Sequence, residues 1–120
     1  MSTHNPQLID GTANGTISKG QLVKYLSGGW VACSSAGELA DGVAFNDAVT
    51  GGAVAVQIGG KVKYLCGASP IADGAKITTT AGGLGITAAT GNLPRLKALG
   101  ACAATAYGEA IWESDVTVLP

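Results

Sequence analysis

Residues 42–66 read GVAFNDAVTGGAVAVQIGGKVKYLC, and their periodicity decides the fold class. In Ala53–Ile58, Val54, Val56 and Ile58 fall on one side and Ala53, Ala55 and Gln57 on the other. A period of two belongs to a pleated strand, because successive Cβ atoms point to opposite faces. Val62, Tyr64 and Cys66 then alternate with Lys61, Lys63 and Leu65. Val43 and Phe45 begin the stretch, and Asn46, Asp47 and Thr50–Gly52 supply turn chemistry. Gly59–Gly60 reads as a two-residue hairpin turn. The stretch is therefore expected to form a three-stranded antiparallel meander whose apolar face lies on another layer.

The composition supports one folded, turn-rich β domain. The chain has 120 residues and 19 glycines, about twice the usual ~7%. Only 12% of residues are charged and 5% are aromatic, with a net charge of −1. The seven lysines and arginines are dispersed, so the clustered cations that neutralise nucleic-acid phosphates are lacking. Lys61 and Lys63 share a strand face, a pattern that protects sheet edges from aggregation. No apolar run reaches the ~18–20 residues of a membrane span. Met1–Asp10 has neither a basic start nor an apolar core, so export by a signal peptide is not expected.

Cys33, Cys66 and Cys102 are odd in number and contain no C-x-x-C. Neither a disulfide framework nor a zinc site is indicated. Buried free thiols are the default reading, and an intermolecular disulfide is the alternative.

Residues 1–16 are polar and rich in turn formers, with Asn5–Pro6, Asp10–Gly11 and Asn14–Gly15. They read as an extended N-terminal arm preceding a β-rich domain at 17–120. Asn5, Pro6, Gln7, Leu8 and Ile9 are the candidate contact residues, able to add an extended segment to a neighbouring sheet edge.

The body then repeats. Ile17–Val23 (ISKGQLV) recurs as Ile71–Ile77 (IADGAKI), 54 residues later. Gly82–Gly83–Leu84 follows Gly28–Gly29–Trp30 at the same offset. A looser pairing sets Gly100–Ala103 against Gly42–Phe45, with a few residues inserted near Thr90–Lys97. Two similar β units packed together are expected. Leu93–Tyr107 holds the one helix-compatible stretch, with Pro94 and several alanines, but Gly100 and Thr105–Gly108 oppose a helix. The repeat makes Leu96–Ala103 a strand. Val116 and Val118 read as a closing strand.

No catalytic constellation emerges. The one histidine, His4, lies in the arm, where nothing would hold a catalytic base in place. Glu113 and Asp115 are a conceivable acid–base pair for a small hydrolase, against the simpler reading of a solvated loop. The other carboxylates sit beside glycines or in turns, where they bond backbone. Gly82–Gly85 carries no phosphate-loop lysine. No enzyme activity, cofactor or metal is expected. Trp30 reads as core, and Trp112 as a possible contact with another chain.

The order of features resembles the phage capsid decoration, or head cement, proteins. The matching residues are Ile17–Val23, Gly42–Ala44 with the turn at Asp47–Gly52, Ala53–Val56, Gly59, Val62, Ile71–Ile77, Gly100–Ala103, Gly108–Glu109 and Val116–Val118. The resemblance implies a small β-barrel or sandwich-like domain without catalysis. It implies attachment to the outer surface of an icosahedral bacteriophage head after assembly in the host cytoplasm. The partners it implies are the major capsid protein and the chain itself, as a homotrimer, with neither nucleic acid nor membrane involved. The alternative function is a glycan-binding fibre or adhesion module using Trp30 or Trp112.

Overall fold

The computed structural model describes residues 8–113, and among them every regular element is a strand. The strands are β1 (Leu8–Thr12), β2 (Leu22–Leu26), β3 (Gly29–Ala32), β4 (Gly42–Ala44) and β5 (Ala53–Gln57), then β6 (Lys61–Leu65), β7 (Lys76–Thr79), β8 (Gly85–Thr87), β9 (Leu96–Ala98) and β10 (Tyr107–Trp112). They form two five-stranded antiparallel sheets in a compact sandwich-like domain. The first is ordered β1-β5-β4-β2-β3 and the second β6-β10-β9-β7-β8. Position for position, the two orders are the same.

The predicted repeat is thus a repeat of topology, and its offset is 54 over most of the chain. Leu22 pairs with Val43 and Val23 with Gly42; Lys76 pairs with Lys97 and Ile77 with Leu96. Ile17 bridges Ala48 as Ile71 bridges Cys102. Even the backbone conformations recur. Gly51 has φ +86° and its counterpart Thr105 has φ +62°. A threonine in that left-handed region is uncommon, which marks the turn as imposed by the unit rather than by glycine alone. Each sheet also curls until its end strands meet. Ala13 and Trp30 form a parallel bridge in the first unit, Cys66 and Gly85 in the second.

Four expectations change. First, Gly59–Gly60 is not a hairpin turn. β5 is hydrogen-bonded to β4 on one side and β1 on the other, so it has no free edge for β6. The two glycines instead carry the chain across to the second sheet, where β6 pairs with β10. Second, part of the stretch expected as an arm belongs to the first sheet. Leu8–Thr12 is strand β1, with Leu8 opposite Gln57 and Thr12 opposite Ala53. The polar turns at Asp10–Gly11 and Asn14–Gly15 masked a segment whose hydrogen bonds come from β5, not from its own propensity. Asn5, Pro6 and Gln7 lie outside the described residues.

Third, the insertion near Thr90–Lys97 does not exist. The counterpart of Gly42–Ala44 is Leu96–Ala98, so Gly100–Ala103 is a loop and the strand stops at Ala98. Fourth, the β7–β8 turn is one residue longer than the β2–β3 turn. Val23 faces Ala32, whereas Ile77 faces Thr87. Trp30 therefore corresponds to Gly85, not Leu84. The expected closing strand at Val116–Val118 lies outside the described residues.

That last shift exposes an exchange of bulk between the units. In the first, Trp30 on β3 fills the centre at 5% exposure, and Gly11 on β1 makes room for it. A Cβ on Gly11 would fall 2.5 Å from the Trp30 ring. In the second, the aromatic sits on the other strand. Tyr64 on β6 is fully buried, and a Cβ on Gly85 of β8 would fall 2.6 Å from its ring. One aromatic and one glycine fill each centre, which holds core volume nearly constant, the condition that close packing sets.

The units join through the outer face of β2 and β4. Leu22, Cys33, Ala40 and Val43 of the first unit share one packed cluster with Val62, Tyr64, Ile77 and Leu96 of the second. Backbone bonds seam the joint: Leu22 N–H to Gly83 C=O at 2.7 Å, Leu65 N–H to Gly20 C=O at 2.8 Å, and Gly37 N–H to Thr79 C=O at 2.9 Å.

Candidate functional site

The residues singled out from sequence do not converge. Leu8 and Ile9 are exposed on β1 (46% and 40%). Trp30 is core. Trp112 is half-buried against the second unit's core, with the Arg95 guanidinium 4.8 Å from its ring centroid. Such a stack is worth roughly 0.5–2 kcal/mol. Arg95 also donates to Ala40 C=O and Glu113 C=O, so it ties Trp112 to the joint. Burial lowers the pKa of this guanidinium, with the Asp41 carboxylate opposing the shift. Glu113 is ion-paired with Lys76. Asp115 and His4 lie outside the described residues.

Four of the seven carboxylates among the described residues accept from backbone N–H groups. Asp47 accepts from Lys19 N–H, Asp41 from Tyr25 N–H and Asp73 from Gly100 N–H. Glu38 accepts from Ser34 and Ser35 N–H and from Lys24 Nζ at 3.0 Å. Partial burial pushes the Glu38 pKa up, but the Ser35 N–H, Lys24 and the Ser34 N–H outweigh it, and the net shift is downward. Among the described residues, no three His, Cys, Asp or Glu side chains group as metal ligands.

The three thiols are buried and unbridged. Burial, aided by the Glu38 carboxylate, pushes the Cys33 pKa up to about 12, with a Thr79 hydrogen bond and Lys24 opposing. Burial likewise raises Cys66 and Tyr64, with Cys102 contributing to both. The Tyr64 hydroxyl is buried without a hydrogen-bond partner. The neighbouring thiols are weak hydrogen-bonding groups and do not satisfy it in the usual sense. Tyr64→Phe is therefore expected to be neutral or to stabilise by up to about 1 kcal/mol in urea unfolding. A loss above that size would show that the hydroxyl is paired after all.

The surface features come in matched pairs. Ile17, Ala48 and Val49 line a groove of about 520 Å³, and their counterparts Ile71, Cys102 and Ala103 line one of about 480 Å³. Phe45 and its counterpart Leu99 are both exposed. These grooves and knobs are apolar and suit contact rather than chemistry.

Elsewhere the pairing breaks. Leu22 and Val43, buried in the joint, become Lys76 and Lys97, which are exposed. Thr79, buried in the joint, corresponds to Tyr25, which is 56% exposed, and the neighbouring Leu26 is 52% exposed. Sequence reasoning missed this asymmetry, although lysines at the 54-residue offset from Leu22 and Val43 were visible. What was not visible is which face the joint covers.

Comparison with known proteins gives no matching family model and no matching curated protein. Among solved structures, the chain is similar to the head fiber gp8.5 N base of bacteriophage phi29, with a TM-score of 0.75. The likeness covers 94% of this chain and 98% of that one, at 14% sequence identity. It is a likeness of fold along almost the whole of both chains.

Proposed function

We propose that this chain is a non-enzymatic structural component of a tailed-phage head. In this reading it binds the outer surface of the icosahedral shell as a homotrimer and cements neighbouring major capsid subunits. The observation that carries the reading is the fold likeness to a phage head-fiber base along nearly the full chain. The resemblance of the sequence to decoration proteins points the same way.

The physics of such a role asks little of chemistry. A protein that binds the assembled shell but not its separated subunits stabilises the shell by mass action. That gain is about 2.7 kcal/mol per site at a free concentration of 100 Kd. Many sites on one particle multiply it. Matched apolar grooves and few charges suit broad contact better than electrostatic steering.

The glycan-binding alternative loses its platform. Trp30 is buried in the first unit and Trp112 lies under Arg95 in the second, so the two tryptophans do not form an adjacent exposed pair.

The test mixes purified protein with expanded heads that lack it and sediments them. Co-sedimentation at micromolar protein, saturating at a fixed number of copies per particle, is expected. Absence of binding under those conditions overturns the reading. Deleting residues 1–7 tests the arm: unchanged attachment removes Asn5, Pro6 and Gln7 from the contact.

A further inference from the structure

The joint between the units is heterologous. The first unit contributes Leu22, Cys33, Gly37, Ala40 and Val43, and the second contributes Thr79, Gly83, Leu93 and Arg95. In the 54-residue correspondence these are mostly different surfaces. Two similar units joined this way leave one complementary surface unused at each end. The second unit keeps an open copy of the arriving face at Lys76, Gly91 and Lys97, all three exposed. The first unit keeps an open copy of the receiving face, with Tyr25, Leu26 and Asp41 exposed and Leu39 half-buried beside them.

The backbone shows the same vacancy. Within the joint, Gly37 N–H donates to Thr79 C=O, and Leu93 N–H donates to Gly37 C=O at 3.1 Å. Their counterparts are the N–H groups of Gly91 and Leu39. Neither donates to a protein acceptor among the described residues.

Charge fits as well. Lys76 and Lys97 stand directly opposite each other on β7 and β9. Like charges so placed are destabilising within a single chain. Lys76 is paired with Glu113, but Lys97 has no partner among the described residues. The receiving side carries Glu38 and Asp41 where the second unit has Asn92 and Arg95. Through residue 60 the chain has Lys19 and Lys24 against Asp10, Glu38, Asp41 and Asp47; beyond it, five cations stand against four acids. The first half is acidic and the second basic.

We propose that a second copy of this chain docks the Lys76–Gly91–Lys97 face of its second unit onto the Tyr25–Leu26–Leu39 end of the first unit, repeating the internal joint between molecules. The contact deepens the self-association in the functional reading and is independent of capsid binding, since the free protein suffices to test it. A head-to-tail contact closes into a ring or continues as a filament, according to the rotation per step.

The test uses two full-length variants in sedimentation velocity. Lys76→Glu with Lys97→Glu disables the arriving face, and Tyr25→Asp with Leu26→Asp disables the receiving face. Wild type is expected to associate in the micromolar range, and each variant alone to weaken at least tenfold. Mixed together, the two variants should form a 1:1 complex and nothing larger, because only one functional contact remains. Raising salt should weaken the wild-type contact, as screening predicts. Monomeric wild type at about 100 µM, a Kd weaker than most specific contacts, overturns the proposal. So does either variant keeping wild-type association, or a mixture that stays monomeric. If a double variant melts early, the single changes Lys97→Glu and Leu26→Asp carry the same comparison. Heads that bind a monomeric protein would overturn this contact while leaving the capsid reading intact.

Discussion

Alanine at Gly85 is expected to destabilise the protein by about 1–3 kcal/mol, the usual cost of overpacking a closed core. A Cβ there would lie 2.6 and 2.8 Å from Cδ2 and Cε2 of Tyr64 and 3.3 Å from Cγ2 of Ile77. The ring cannot give way, because Tyr64 and Ile77 are both fully buried. Gly85 does not adopt a positive φ, so the cost is steric rather than conformational. Tyr64→Leu alone should also destabilise, by roughly 2–4 kcal/mol, through the cavity it leaves. The double variant should cost less than the two single costs together, by about 0.5–3 kcal/mol, as residues in contact do. Urea midpoints of the four proteins measure this coupling. Strict additivity would mean that Gly85 does not make room for Tyr64. The same experiment at Gly11 and Trp30 should couple with the same sign, since the roles of the two strands are exchanged there.

Gly20→Ala should cost more than Gly74→Ala by roughly 1–3 kcal/mol. The two glycines are counterparts, with φ +88° and +80°, so both variants pay about the same backbone strain of ~1 kcal/mol. Only Gly20 lies in the joint. Its added Cβ would meet Tyr107 Cε1 at 2.8 Å, Leu65 N at 3.0 Å and Leu65 Cβ at 3.1 Å, whereas Gly74 has nothing within 4 Å. The difference between the two variants therefore isolates the joint from the turn. Thermal or urea unfolding of both, side by side, gives the number. Equal losses would show that the units are not wedged together at Gly20. If the joint is cooperative, Gly20→Ala should also lower the denaturant slope, as two-state unfolding breaks down.

The lysines at 76 and 97 illustrate how far a sequence can be read. Their presence at the offset that carries Leu22 and Val43 is a fact of the sequence. The meaning of the exchange depends on a surface that exists only after folding. Leu22 and Val43 point away from their own sheet's interior, and without the second unit they would be exposed apolar residues. Lysine at the equivalent place in the second unit lets that face stand in water while the chain is alone.

The central strands at Ala53–Gln57 and Lys61–Leu65, the all-β class and the two-unit repeat were determined by the sequence alone. Val54/Val56 and Val62/Tyr64 alternate with period two whatever their partners, and Ile17–Val23 and Ile71–Ile77 bend at glycines in matching positions. These signals are local, and the pleat and the turn report themselves within a few residues. Only the tertiary structure decided that β6 leaves its neighbour β5 for β10, that Leu8–Thr12 is a strand, that Gly85 rather than Leu84 answers Trp30, and that Tyr25 and Leu26 stay open while Thr79 is covered. Each of these depends on which sheet edge is already taken and which face another unit occupies. Hydrogen bonds and burial are satisfied between segments far apart in sequence, so no window along the chain holds that information.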